Sequence, residues 1–192
     1  ILRTALAAVL LLAASAAVAE GPEPGDQAPA FTLTDTEGNE HVLTDYLSAG
    51  KTVVLEWFNP DCPFIKKHHK NARTMDEVFA KHAEQGVVWL AVNSAGPGKQ
   101  GYGVDRNQKA MKEYAMTFPV LLDADGMVGK AYGAKTTPHM FVITPDGKVA
   151  YTGAIDDDPS AGKPGKVNYI DDALAAILAG ETVKVSETKS YG

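Results

Sequence analysis

The sequence predicts an α/β sandwich with a mixed central sheet and an N-terminal β-hairpin. Three observations predict it. Lys51–Glu56 and Val87–Val92 are nearly unbroken apolar, β-branched runs, as in strands buried on both faces. Segments of helical character alternate with such runs along the chain. The order closes with a hairpin around Pro145-Asp146-Gly147 and a final amphipathic helix.

Taken in order, residues 1–19 carry Arg3, an apolar stretch from Leu6 to Leu12, and Ala17-Val18-Ala19. This is the pattern of a secretory signal peptide cut before Glu20. The run is short for a membrane span. The protein is therefore expected to be exported, periplasmic or extracellular, with no stable membrane anchor after cleavage. Residues 20–30 are Gly/Pro-rich and read as an extended lead-in to a domain covering 31–180, with 181–192 as a tail.

Phe31-Thr32-Leu33 and His41-Val42-Leu43 flank the turn Asp35–Asn39 as a hairpin. Thr44 or Asp45 can cap a short turn before the core strand Thr52–Phe58. A helix is expected from Cys62 or Pro63 to about His82, with a break near Asn71 and its lysines facing solvent. Gly86 stops it, and the strand Val87–Val92 follows. Ser94–Val104 holds four glycines and Pro97 and reads as a loop, either a mobile flap or a long connection. Asp105 can cap a helix to about Met116. Further elements are a strand over Phe118–Asp123, a short helix over Asp125–Tyr132, strands His139–Thr144 and Lys148–Gly153, and a helix over Tyr169–Leu178 ended by Gly180.

Composition narrows the function. The 192 residues carry a net charge of −6 without a basic block, which argues against nucleic acid. The glycine-rich loop matches neither phosphate-binding fingerprint, so no cofactor is implied. Asp156-Asp157-Asp158 lacks calcium-loop spacing and reads as a solvated acidic turn.

Cys62 is the only cysteine, so no internal disulfide can form. It sits where the core strand gives way to a helix start at Pro63, with Lys66 one turn on. A helix N-terminus and a nearby cation stabilise a thiolate. The thiolate could attack a disulfide, or a peroxide to give sulfenic acid. Turnover then requires an external thiol. Glu56, inside the apolar strand, is either a buried proton acceptor acting through water or a solvent-open strand end. On a regular helix His69 shares a face with Cys62 and Lys66, although His68 and His69 read most simply as solvated surface.

The order of these motifs resembles the thioredoxin-like superfamily, and more closely its redoxin branch of peroxiredoxins and exported thiol-disulfide oxidoreductases. The likeness lies in Gln27-Ala28-Pro29-Ala30-Phe31-Thr32-Leu33, Trp57-Phe58-Asn59-Pro60-Asp61-Cys62-Pro63, Phe118–Asp123 and Phe141–Gly147, and spans about Asp26 to Leu178. It implies a three-layer α/β/α sandwich and a thiol oxidoreductase of antioxidant type with Cys62 as nucleophile. It also implies a cis-proline at Pro138, with Thr137 and Pro63 positioning an extended substrate, and leaves His139 as a possible neighbour of the thiolate. The implied partners are a peroxide or disulfide substrate and an external thiol or thioredoxin-like reductant. The chain departs from the pattern at Ile65, where thioredoxins carry a second cysteine, and at Leu55 and Asn59, where peroxiredoxins carry Pro and Thr. The resemblance further implies a resolving cysteine after a tail like Thr188–Gly192. A competing reading is a binding module, such as a copper carrier using Cys62 with His69 or His139.

Overall fold

The computed structural model describes residues 21–192, so the expected signal peptide lies outside the described residues. In chain order the elements are β1 (Thr32–Asp35), β2 (Glu40–Val42), α1 (Leu43–Ser48), β3 (Thr52–Trp57), α2 (Pro63–Lys66), a π-helical turn (Lys67–Asn71) and α3 (Thr74–His82). Next come β4 (Val87–Asn93), α4 (Val104–Tyr114), β5 (Val120–Leu122), α5 (Met127–Ala131), β6 (Met140–Ile143), β7 (Val149–Gly153) and α6 (Tyr169–Leu178).

The strands form one mixed sheet in the order β2-β1-β5-β4-β3-β6-β7. Strand β3 lies at its centre, parallel to β4 from Thr52↔Val87 to Trp57↔Val92 and antiparallel to β6 from Val53↔Ile143 to Glu56↔Met140. All six of its residues are buried. Because successive side chains alternate across a strand, β3 supplies two cores. Val54 and Phe58 pack with Trp89, Ala91 and Val142 beneath α3, α4 and α6. Val53, Leu55 and Trp57 pack with Leu90, Val92 and Phe141 on the face covered by α1 and Tyr132. Each such fully buried apolar side chain contributes about 1.5–3 kcal/mol. The same alternation aims Glu56 into the first core.

Two local details bear on the sequence expectation. The helix after the glycine loop starts at Val104, preceded by Gly103 at a left-handed φ of 100°, and not behind an Asp105 cap. The long helix after Cys62 is divided near Asn71, as expected, but through a π turn that the sequence did not predict: α2 runs into that turn, and Arg73, at φ 53°, separates it from α3. A π turn adds a residue to the helical repeat and changes which side chains face inward.

Beyond α6 the chain returns along the free edge of β7. Thr152 N donates to Ser186 O at 3.0 Å, and Thr188 N donates to Thr152 O at 3.0 Å, which makes a parallel bridge between Thr152 and Glu187. The tail thereby occupies an edge that would otherwise expose backbone donors and acceptors.

Candidate active site

The turn after β3 places Cys62. Asn59 Oδ1 accepts from Asp61 N at 2.9 Å, and Asn59 O accepts from Cys62 N at 3.0 Å. Cys62 is the residue immediately before α2, with Pro63 as the first helical residue. The Cys62 Sγ donates to Thr137 O at 2.8 Å, and the Thr137-Pro138 peptide is cis. In this arrangement the sulfur is a thiol held against the backbone carbonyl of the Thr-Pro loop, 75 residues away in sequence. Its residue is 9% exposed.

A residue the sequence reading passed over holds this turn from outside. Arg106, on α4, meets Asp61 Oδ1 through Nη2 at 2.5 Å and through Nε at 3.1 Å, and Nη2 also donates to Pro60 O at 3.2 Å. Tyr114 OH, at the end of the same helix, donates to Pro60 O at 2.7 Å. Their only sequence signal was an arginine and a tyrosine on one helix, with nothing to say that it packs on the Pro60-Asp61 turn.

The polar residues following Cys62 are buried, contrary to the expectation of solvated lysines and histidines. Lys67, His68 and His69 are all 0% exposed. The π turn divides them between two environments. His69 points to the sheet: its Nε2 lies 2.7 Å from Glu56 Oε1 and its Nδ1 lies 3.1 Å from Asp76 Oδ2. Trp89 Nε1 donates to the other Glu56 oxygen at 2.9 Å. Burial works against protonation of His69, but the Glu56 charge and the bonds to Asp76 and Glu56 outweigh it and raise the pKa to about 9. Glu56 is thus buried and partnered by His69 and Trp89, not open to solvent at a strand end.

Lys67 and His68 point the other way, to Asp156 and the tail. Lys67 Nζ donates to Asp158 O at 2.6 Å and lies 3.6 Å from Asp156 Oδ1. The Tyr191 hydroxyl donates to Asp156 and lies 3.0 Å from His68 Nε2. Asp156, read as part of a solvated acidic turn, is therefore buried because Lys67 and Tyr191 complete its hydrogen bonding. Burial lowers the His68 pKa to about 4, with Asp156 opposing and Lys67 and His69 adding to the effect.

His139 faces away from the thiol. Its Nδ1 accepts from Lys135 N at 3.4 Å, its Nε2 lies 3.3 Å from Thr152 Oγ1, and its ring lies tilted by 40° with its centroid 4.7 Å from that of Phe141. Burial, followed by the Lys135 charge, lowers its pKa to about 4. The copper reading needed His69 or His139 beside Cys62, and both rings are engaged elsewhere. Among the described residues no cluster of three His, Cys, Asp or Glu could hold a metal ion. Lys66 is half-buried, and its backbone N closes the first turn on Cys62 O at 3.1 Å.

A cleft of about 520 Å³ opens beside the thiol turn, lined by Trp57, Asn59, Ser94, Lys99, Lys135 and Thr137 among others. The glycine-rich loop forms one wall and is tied down. Asn93 and Asn107 both donate to Gly101 O at 3.0 Å, and Asn59 Nδ2 donates to Gln100 O at 3.3 Å.

A strand-to-helix cysteine facing a cis Thr-Pro loop at one end of the neighbouring strands β3 and β6 is the arrangement that the resemblance implied, and residues 24–152 match the model of the AhpC/TSA family. The chain belongs to that family. Among relatives of this AhpC/TSA chain is the thiol-disulfide oxidoreductase ResA of Geobacillus thermodenitrificans (strain NG80-2). It is 36% identical over 125 residues, a match spanning 65% of this chain and 66% of that relative. An uncharacterized conserved protein from Geobacillus kaustophilus superposes with a TM-score of 0.73 and 31% identity over 87% of both chains. A putative thiol:disulfide interchange protein DsbE from Chlorobium tepidum gives a TM-score of 0.61 at 25% identity, covering 83% of this chain and 98% of that one. The fold is thioredoxin-like, with the N-terminal hairpin β1–β2 added to the sheet.

Proposed function

We propose that the protein is an exported thiol-dependent oxidoreductase that exchanges disulfides through Cys62 alone, with an external thiol as resolving partner. One observation carries this reading: the Cys62 Sγ lies 2.8 Å from the Thr137 carbonyl of the cis Thr-Pro loop. A substrate backbone laid along that loop would present its sulfur to Cys62. The deprotonated Cys62 attacks one sulfur of a substrate disulfide; a Cys62–substrate disulfide forms and the other sulfur leaves as thiolate. An external thiolate then attacks the substrate sulfur of that mixed disulfide and releases Cys62 as thiolate. Electrons balance, because one disulfide is consumed and one is formed.

Disulfide exchange is favoured over peroxide reduction because Leu55 and Asn59 stand where peroxiredoxins carry Pro and Thr. The similarity to a protein named thiol-disulfide oxidoreductase points the same way. Export rests on the Arg3, Leu6–Leu12 and Ala17–Ala19 pattern.

The test is incubation with oxidised glutathione, followed by mass spectrometry. A single glutathionyl adduct on Cys62, released by added thiol and absent from Cys62→Ser, supports the reading. Faster formation of sulfenic acid with hydrogen peroxide than of the mixed disulfide would assign peroxide reduction instead. No adduct of either kind would remove the enzymatic reading.

A further inference from the structure

We propose that residues 186–192 form a strap that closes the Cys62 site and must lift before a substrate disulfide reaches the sulfur. The proposal rests on Cys62 being the reactive thiol. Gly192 of the strap meets the same backbone group that holds that thiol. Gly192 packs so tightly on Thr137 that a Cβ there would overlap its carbonyl, the acceptor of the Cys62 Sγ hydrogen bond. The Tyr191 ring lies 5.6 Å from Phe64, two residues beyond Cys62. The strap therefore lies where an extended substrate would meet the Thr-Pro loop.

Its fastenings are few, and apart from the Tyr191 ring against Phe64 they are polar. The parallel bridge at Thr152 is one. Thr188 Oγ1 is a second, 2.6 Å from Tyr151 OH and accepting from Ala154 N at 2.9 Å. The third is the latch: the Tyr191 hydroxyl donates to Asp156 and meets His68 Nε2 and Lys67 Nζ, while the ammonium sits 5.0 Å above the ring.

The two sides of this latch differ in burial. Lys67, His68 and Asp156 are 0%, 0% and 3% exposed, whereas no residue from 181 to 192 is fully buried. A segment with little buried apolar surface opens locally at far lower cost than the whole domain. On opening, water replaces the Tyr191 hydroxyl at Asp156 and Lys67, so the charged receptor is solvated and not stranded. Two discrete states follow, one with tyrosine in the receptor and one with water there. A disulfide substrate that takes the place of Gly192 on Thr137 favours the second. The fully buried Lys67 and His68, which no step of the exchange uses, are accounted for as the receptor of the latch.

The test uses the full chain and iodoacetamide as a small probe of Cys62, with alkylation read by mass spectrometry and hydrogen exchange read over 186–192. Tyr191→Ala is expected to speed both, with alkylation rising about tenfold or more, as deletion of a hydrogen bond to a charged group implies. Gly192→Val, which leaves the latch in place but cannot pack on Thr137, is expected to speed alkylation with a smaller change in exchange at Tyr191. Faster tail exchange without faster alkylation in either variant overturns the strap, and so does an unchanged alkylation rate in both. Failure of the disulfide reading has a different signature: Cys62 alkylates faster in the variants yet forms no mixed disulfide with oxidised glutathione.

Discussion

The Glu56 carboxylate sits 2.7 Å from His69 Nε2, and neither side chain touches solvent. A charged pair in the first core is stable only while both members and their outer partners, Trp89 and Asp76, are present. Removing one partner leaves an uncompensated buried charge.

Glu56→Gln is therefore expected to lower stability by about 3–5 kcal/mol at pH 6. It should also flatten the alkaline limb of stability. The His69 pKa is raised from an ordinary 6.5 to about 9: burial opposes the rise, and Glu56 drives it. A raised folded pKa gives stability that is fully present below 6.5 and lost as pH climbs through 9. Urea midpoints between pH 6 and 10 check this. An equal slope in wild type and Glu56→Gln would refute it.

The acid limb belongs to other histidines. His68 and His139 both have folded pKa values near 4, burial being the first cause of each. Their native forms stay neutral where the unfolded chain already binds protons, so stability falls as pH drops from 6.5 towards 4. His139→Gln should lessen that fall without altering stability near pH 8 by more than about 1 kcal/mol. Thermal melts at pH 4.5 and 8 distinguish the outcomes.

Arg106→Ala should loosen the Pro60-Asp61 turn, lowering the rate of Cys62 mixed-disulfide formation several-fold and stability by about 1–2 kcal/mol. Arg106→Lys should recover little, because an ammonium cannot reach Asp61 Oδ1 and Pro60 O in the same fork. Full recovery by lysine would mean that charge alone matters there.

Gly101 and Gly98 form a matched pair for the loop wall. Both have left-handed φ, 82° and 76°, but a Cβ at Gly101 would strike Asn59 Oδ1 at 2.5 Å, while Gly98 faces open space. Gly98→Ala should cost only about 1 kcal/mol of backbone strain. Gly101→Ala should cost more and also slow Cys62 chemistry, since Asn59 organises the turn. Equal melting temperatures and rates for the two variants would contradict this.

Most of the architecture was legible because it is written in local patterns. The apolar run at Val87–Val92 became β4, and the amphipathic stretch became α6 with the bounds Tyr169–Leu178. Cys62 and Pro138 were legible as a pair through the family resemblance, since neither spacing nor composition brings residues 62 and 138 together. The burial of Lys67, His68 and His69 was not legible, because charge and a 3.6-residue repeat both assign them to solvent. Their partners lie far away in sequence, and a π turn has no hydrophobic period to betray it. One clue was present in Glu56: a lone carboxylate inside an apolar strand needs a donor, and the Lys66–His69 run offers several.

The π turn joins two neighbours in sequence that answer to different partners. His68 reads the state of the tail and His69 reads the central strand, yet one peptide bond joins them. A shift of this turn is then registered at both the rim and the hub of the domain. Deleting a single residue between Lys67 and Asn71 would do more than shorten a helix: it would put both histidines out of phase with their sockets at a stroke.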